Sequence, residues 1–351
     1  GRYARWRFVA GCEEWGVVMA GVVRFGISAD ERLLERFDAL IAEKGYPSGD
    51  LLAPYGPHYR AEDTAGFFPL YPLLIRVLAA SGIGSLAAGL VLSNLALLAA
   101  LTLLYELVRD RCGDETALLS VWSLLAFPAS LFLSAVYGES LSLALTLGAF
   151  LAARRGRWGW VALAGFACAL SRPTGLLVVL PLAWEVLERR GGWRGWVSLG
   201  AFPAGTAAFS LYCSRAFGDP LAWVHRQERW RGAVSGPWRA FQRFLEQPPQ
   251  IHGAHNSLLE LGMALVFLAA LVPVVRRFPR SWGTHALISV LVPLGSSLWS
   301  FGRLSLLTFP VFALAGEASR RRPWFLPAYL SLGLPLGGLL MALFACGWWA
   351  G

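Results

Sequence analysis

The sequence predicts an all-α, polytopic bundle of membrane-spanning helices, and three observations lead there. The chain is 56% hydrophobic and only 15% charged over 351 residues, with a mean hydropathy of +0.51, more apolar than a soluble domain sustains. Its apolar residues are gathered into runs, the longest of which suffice to cross a ~30 Å hydrocarbon core at a rise of ~1.5 Å per residue. Short arginine clusters stand between those runs, as expected of cytoplasmic loops. The net charge of +9 therefore does not point to nucleic acid, because the basic residues are spread over many loops instead of pooled on one face. Cys12, Cys112, Cys168, Cys213 and Cys346 are scattered, lie mostly in apolar runs and lack metal-ligand spacing, so neither disulfides nor a zinc site are expected.

Taken in order, Phe8 to Phe25 is a first apolar run interrupted by Glu13 and Glu14. Asp30 to Lys44 places Leu33, Leu34, Phe37, Leu40 and Ile41 at helical spacing, an amphipathic pattern that suits the membrane surface. Phe67 to Ala80 is apolar but short, and contains Pro69, Pro72 and Arg76; it reads as a helix lying along the outer interface. Leu86 to Val108, Ala117 to Val136 and Leu141 to Ala153 read as spans. Two shorter runs, Trp158 to Leu170 and Thr174 to Leu187, are separated by Ser171-Arg172-Pro173. The remaining runs are Trp196 to Phe217, Ser257 to Val275, Trp282 to Trp299, Leu304 to Ala318 and Trp324 to Trp349.

The arginine clusters test this arrangement by parity. If Phe67 to Ala80 does not cross, the basic N-terminus and the clusters at Arg109, Arg154, Arg189, Arg276 and Arg320 all fall on the cytoplasmic side, with about eleven spans. If it crosses, every later cluster moves outside. The first arrangement makes a single integral domain of residues 1–351, with an external loop over 27–83 and a second external segment over 218–256. It also brings Asp38, Tyr137, Glu139, Arg172, Asp219 and Arg303 to one non-cytoplasmic face.

Several motifs then fall in order along the chain: Phe37-Asp38-Ala39-Leu40-Ile41-Ala42-Glu43-Lys44-Gly45-Tyr46, Phe67-Phe68-Pro69-Leu70-Tyr71-Pro72, Ser93-Asn94, Phe127-Pro128, Tyr137-Gly138-Glu139-Ser140, Ser171-Arg172-Pro173-Thr174-Gly175 and Gly218-Asp219-Pro220. In this set the chain resembles the PIG-V family of polytopic, GT-C-type membrane mannosyltransferases, and in its short loops the prokaryotic relatives. The resemblance implies a polyprenyl-phosphate sugar donor, mannose in the family, an acceptor that is a lipid, glycan or protein, and a plasma-membrane location in a prokaryote. It implies Asp38 as general base toward the acceptor hydroxyl. The acidic segment is about four residues shorter than the family pattern; an ungapped match puts Leu34 at the acidic position, with Asp30 in reserve.

The same residues have plainer readings. Asp38 suits a solvated amphipathic helix, Arg172 and Arg303 suit snorkelling to headgroups or pairing with a lipid phosphate, and Glu139 with Ser140 suits a helix cap. Glu139 also suits holding an arginine or a sugar hydroxyl beside Tyr137. Asp219-Pro220 is a turn signal, a donor-site feature only by the resemblance. His58, His225, His252 and His255 read as solvated loop histidines and not as a metal site. Phe67, Phe68 and Tyr71 read as interfacial anchors or as a stacking platform. No phosphate-binding glycine loop or Walker lysine is present, which fits a lipid-linked donor, and no cofactor is called for. A lipid or solute transporter and a non-catalytic homologue are the alternatives; the first is expected to show internal repeats, which this chain lacks.

Overall fold

The computed structural model of the chain describes residues 37–46, 61–253 and 255–346. The first apolar run, Asp30, Leu34, Cys12 and His58 lie outside the described residues. The described chain is helical, with no β-strand among them, only an isolated bridge between Gln250 and Ser257.

Helix α1, Phe37–Lys44, carries Asp38 in its first turn, where a carboxylate meets the positive end of the helix dipole, and Lys44 in its last. Its C-terminus explains the Ile-Ala-x-x-Gly-Tyr ending. Ile41 and Ala42 are buried, the Gly45 N–H donates to the Ile41 carbonyl at 2.8 Å from a left-handed φ of 79°, and Tyr46 Oη hooks the Phe67 carbonyl at 2.8 Å. Helix α2, Leu70–Ala79, has ten residues, so it reaches about 15 Å and is too short to cross a bilayer. Its Arg76 Nε donates to the Ala42 carbonyl at 2.7 Å, tying α2 to the end of α1.

Helix α3, Ser85–Cys112, is followed after Gly113 by α4, Asp114–Leu125. The expected span from Ala117 to Val136 is not one rod. Pro128 forces Phe127 into an extended conformation with ψ 136°, and the chain bends by 78° into a 3₁₀ turn and the short α5, Leu131–Ser134. Helix α6, Glu139–Arg154, and α7, Trp158–Ser171, run antiparallel and pack on each other. A 3₁₀ turn, Pro173–Val178, leads to α8, Val179–Glu188. The run expected from Trp196 to Phe217 divides into α9, Gly192–Leu199, and α10, Ala201–Phe217, with Pro203, which lacks an N–H, in the first turn of α10.

The second polar segment contains α11, Ala222–Arg231, and α12, Arg239–Leu245. The chain ends with α13, Leu258–Arg277, α14, Arg280–Leu294, the short α15, Phe301–Ser305, α16, Phe309–Arg321, and α17, Phe325–Ala345. One large core runs through α3 to α8, α10, α13, α14 and α16 and includes the fully buried Phe132, Phe150, Phe202, Phe267, Trp282, Phe309 and Phe312.

By length and composition three of the described helices, α3, α13 and α17, are apolar enough to cross a membrane, and four candidates result if the bent α4 and α5 count as one. Their outward faces carry exposed apolar side chains such as Leu98, Val266 and Leu332. The basic ends of the helices gather together. Arg155 pairs with Glu106 at 3.1 Å, Arg154 reaches the Leu107 carbonyl, Ser281 donates to Glu185 at 2.6 Å, and Arg277 lies 3.9 Å from Glu317. Along α6 that end carries Arg154 and the opposite end Glu139.

Candidate active site

At the end of the bundle opposite those basic clusters lies a cavity of about 420 Å³. Its walls bring together Asp38 from α1, Tyr137 and Glu139 at the start of α6, Arg172 from the turn after α7, Arg231 from α11 and Arg303 from α15. Five of the six candidate residues named from the sequence therefore share one cavity. Asp219 is not among its lining residues.

Each side chain is aimed by a local cause. Pro173 excludes the helical region for the residue before it, so Arg172 is extended at φ −159°, ψ 155° and closes α7. The turn is held by the Gly175 N–H on the Arg172 carbonyl at 3.0 Å, and it needs glycine there, since a Cβ at position 175 would stand 2.0 Å from the Cys168 carbonyl oxygen. Ser300 precedes α15 in the left-handed region, φ 58°, which swings the chain out of the α14 direction and presents Arg303.

Glu139 is not a cap. The residue preceding α6 is Gly138, and Ser140 Oγ donates to the Leu133 carbonyl. Glu139 instead bridges the two arginines, with its Oε1 at 2.9 Å from Arg172 and 3.4 Å from Arg303. The carboxylate is 2% exposed, the guanidiniums 15% and 18%, so the trio is desolvated enough for its charges to act strongly on one another and on a ligand. Arg303 also lies over the Tyr137 and Phe132 rings, at 5.3 and 5.6 Å.

Asp38 is buried, contrary to its reading as a solvated charge. Burial, and then the Glu139 charge, push its carboxyl up to about 7, against the opposing pull of Arg172 and Arg303. An acid poised there takes or releases a proton near neutral pH, as a general base must.

Other expectations change. Phe68 and Tyr71 are buried and are not membrane anchors: Phe68 packs against Phe209 and Trp223, and Tyr71 Oη lies 2.6 Å from Ser93 Oγ. Phe67, Phe68 and Tyr71 all line the cavity, Phe67 edge-on to Trp230. Asp219 accepts from the Leu221 N–H at 2.9 Å and lies 2.7 Å from His225, a turn-forming role; the His225 hydrogen bond holds its carboxyl below the usual range. His252 is buried, not solvated, and no cluster of metal-ligating residues occurs among the described residues. The described cysteines, Cys112, Cys168, Cys213 and Cys346, are free thiols.

Four residues escaped the sequence reading. Asp63, in the 3₁₀ turn Ala61–Gly66, is buried between Arg226 at 3.0 Å and Arg229 at 2.8 Å. Arg226 in turn stacks on Trp230 at 3.7 Å. Arg231 donates to the carbonyls of Ser297, Pro293 and Trp299 and to Ser296 Oγ. Glu260, in the first turn of α13, is buried and accepts from the Gly302 N–H. An arginine-rich segment gives no sign of which guanidinium turns inward, and that is why these were missed. No protein-family model and no curated protein matches this chain, so a functional reading rests on the motifs and on this cavity.

Proposed function

We propose that the chain is an inverting, membrane-embedded glycosyltransferase that moves a hexose, mannose by the family resemblance, from a polyprenyl-phosphate donor to an acceptor hydroxyl on the non-cytoplasmic side. The observation that carries this reading is the shared cavity, in which a buried acid poised near neutrality faces two arginines bridged by one carboxylate.

Arg172 and Arg303 around Glu139 leave one positive charge in excess. That suits the single negative charge of a phosphodiester, as in a polyprenyl-phosphate sugar, better than the multiple charges of a nucleoside-diphosphate sugar. In the transfer, the acceptor oxygen bonds to the anomeric carbon as the bond from that carbon to the phosphate oxygen breaks. The bonding pair leaves with the polyprenyl phosphate, whose growing charge is met by Arg172 and Arg303. The acceptor proton passes to Asp38. Phe67, Trp223, Trp230 and Trp299 in the cavity wall offer apolar surface for an isoprenoid or a sugar face.

The wider architecture supports the same reading. With α2 too short to cross and the basic helix ends gathered opposite the cavity, the arginine clusters fit the cytoplasmic side of an arrangement with about eleven spans. The test is transfer by the purified chain in a bilayer supplied with a polyprenyl-phosphate hexose. Transfer by the unmodified protein, lowered ~10²–10⁴-fold by Asp38→Asn with donor binding retained, is the expected result. Inactivity with every such donor would turn the reading to a non-catalytic homologue.

A further inference from the structure

Arg303 sits in a five-residue helix entered from a left-handed serine, a piece of chain with little to hold it by itself. What holds it comes from two other elements. From α11, the Arg231 guanidinium grips the approach loop through the Ser297, Pro293 and Trp299 carbonyls. From α13, the Glu260 carboxylate, 2% exposed, receives the Gly302 N–H at 2.6 Å. Glu260 is itself fixed at the start of α13, where its own N–H donates to Ser257 Oγ at 3.2 Å.

The contact is close by design of the residues on both sides. Residue 302 lies against α13 closely enough that a Cβ there would meet the flexible end of Met263, at 2.5 Å from its Cε, and stand 3.4 Å from Glu260 Oε2. A carboxylate buried in this way is costly unless its lone pairs are met by donors. The donor that meets it is the Gly302 amide, immediately before Arg303.

We propose that Glu260 is a positioning residue of the cavity: by holding the Gly302 amide it fixes the turn that aims the Arg303 guanidinium at Glu139 and at the anionic group of the ligand. This rests on the reading of the cavity as a phosphate site. Glu260 does not line the cavity and touches no ligand; it acts only through Arg303.

The test is a double-mutant cycle on the full chain in lipid nanodiscs, with a short-chain polyprenyl monophosphate as probe. Glu260→Leu removes the acceptor, and Arg303→Gln removes the charge. A charge-assisted contact of this kind is worth roughly tenfold to a hundredfold in affinity. The expected result is that Glu260→Leu weakens probe binding about as much as Arg303→Gln, that the double variant is no weaker than Arg303→Gln alone, and that Glu260→Gln, which keeps an acceptor oxygen, rescues most of the loss. Additive losses, or undiminished binding by Glu260→Leu, overturn the proposal. Should Glu260→Leu not fold, Glu260→Ala, which removes the acceptor without adding bulk, replaces it in the same cycle with the same two outcomes. An unmodified protein that binds no phosphate probe overturns the phosphate reading. Amide exchange at Gly302 then decides the cap separately: protection lost in Glu260→Leu supports it, and unchanged exchange refutes it.

Discussion

Asp38 is where a single proton has the largest consequences. Its folded-state carboxyl sits at about 7, well above the 3.8 of an unperturbed aspartate. The sign follows from that direction: the protonated form favours the fold, so this contribution to stability is present in full below about 3.8 and is lost as pH rises through about 7. The proposed transfer requires the opposite form. A log rate against pH that climbs up to about 7 and then levels off is expected for the unmodified protein, with a flat residual rate in Asp38→Asn. If the ascending limb survives in the variant, another group supplies it. Asp219 makes the contrasting case. Its carboxylate serves the Leu221 N–H and His225 on an exposed turn, so Asp219→Asn is expected to leave donor affinity within about twofold, with at most ~1 kcal/mol lost in a thermal melt. A tenfold loss of donor affinity would return Asp219 to the site.

Among the elements, those most legible in sequence were the ones whose turns carry proline or glycine. The Arg172 turn could be read because Pro173 dictates the backbone before it, and the end of α1 because Gly45 and Tyr46 mark it. The bend after α4 was equally written in Phe127-Pro128, yet hydropathy alone ran the segment through to Val136. Burial was the quantity least visible. Phe68 and Tyr71 look like membrane anchors in an apolar run, but Tyr71 is covered through Ser93 and Val136 and Phe68 by Phe209 and Trp223, all distant in the chain. The same limit hid Asp63, whose partners follow it by more than 160 residues. It is 2% exposed between two guanidiniums, and removing one partner of a buried ionic cluster costs roughly 3–5 kcal/mol. Asp63→Ala is therefore expected to lower the melting temperature clearly; an unchanged melt would show that Arg226 stacking on Trp230 suffices to hold α11.

At the scale of the molecule, the parity of arginine clusters predicted two dissimilar ends, and the described helices have them. A single cysteine introduced at Arg155 is expected to react with a membrane-impermeant thiol reagent only after the vesicles of an inside-in preparation are opened, and one at Gln227 to react without opening. Reversed labelling would invert the topology. The clasp of Asp63 on α11 also bears on the order in which the protein is made. Gly66 and Gln227 meet across 161 positions, and Arg303 reaches the same cavity later still. The first loop thus leaves the ribosome and enters its compartment long before its partners exist. Until α11 and α15 have been made, Asp38 lacks the part of the cavity wall that they supply and has Arg172 alone of its two opposing arginines. The newborn chain completes this cavity only near the end of synthesis, and a product truncated before α15 would lack α16 and α17 as well and leave the cavity wall unfinished.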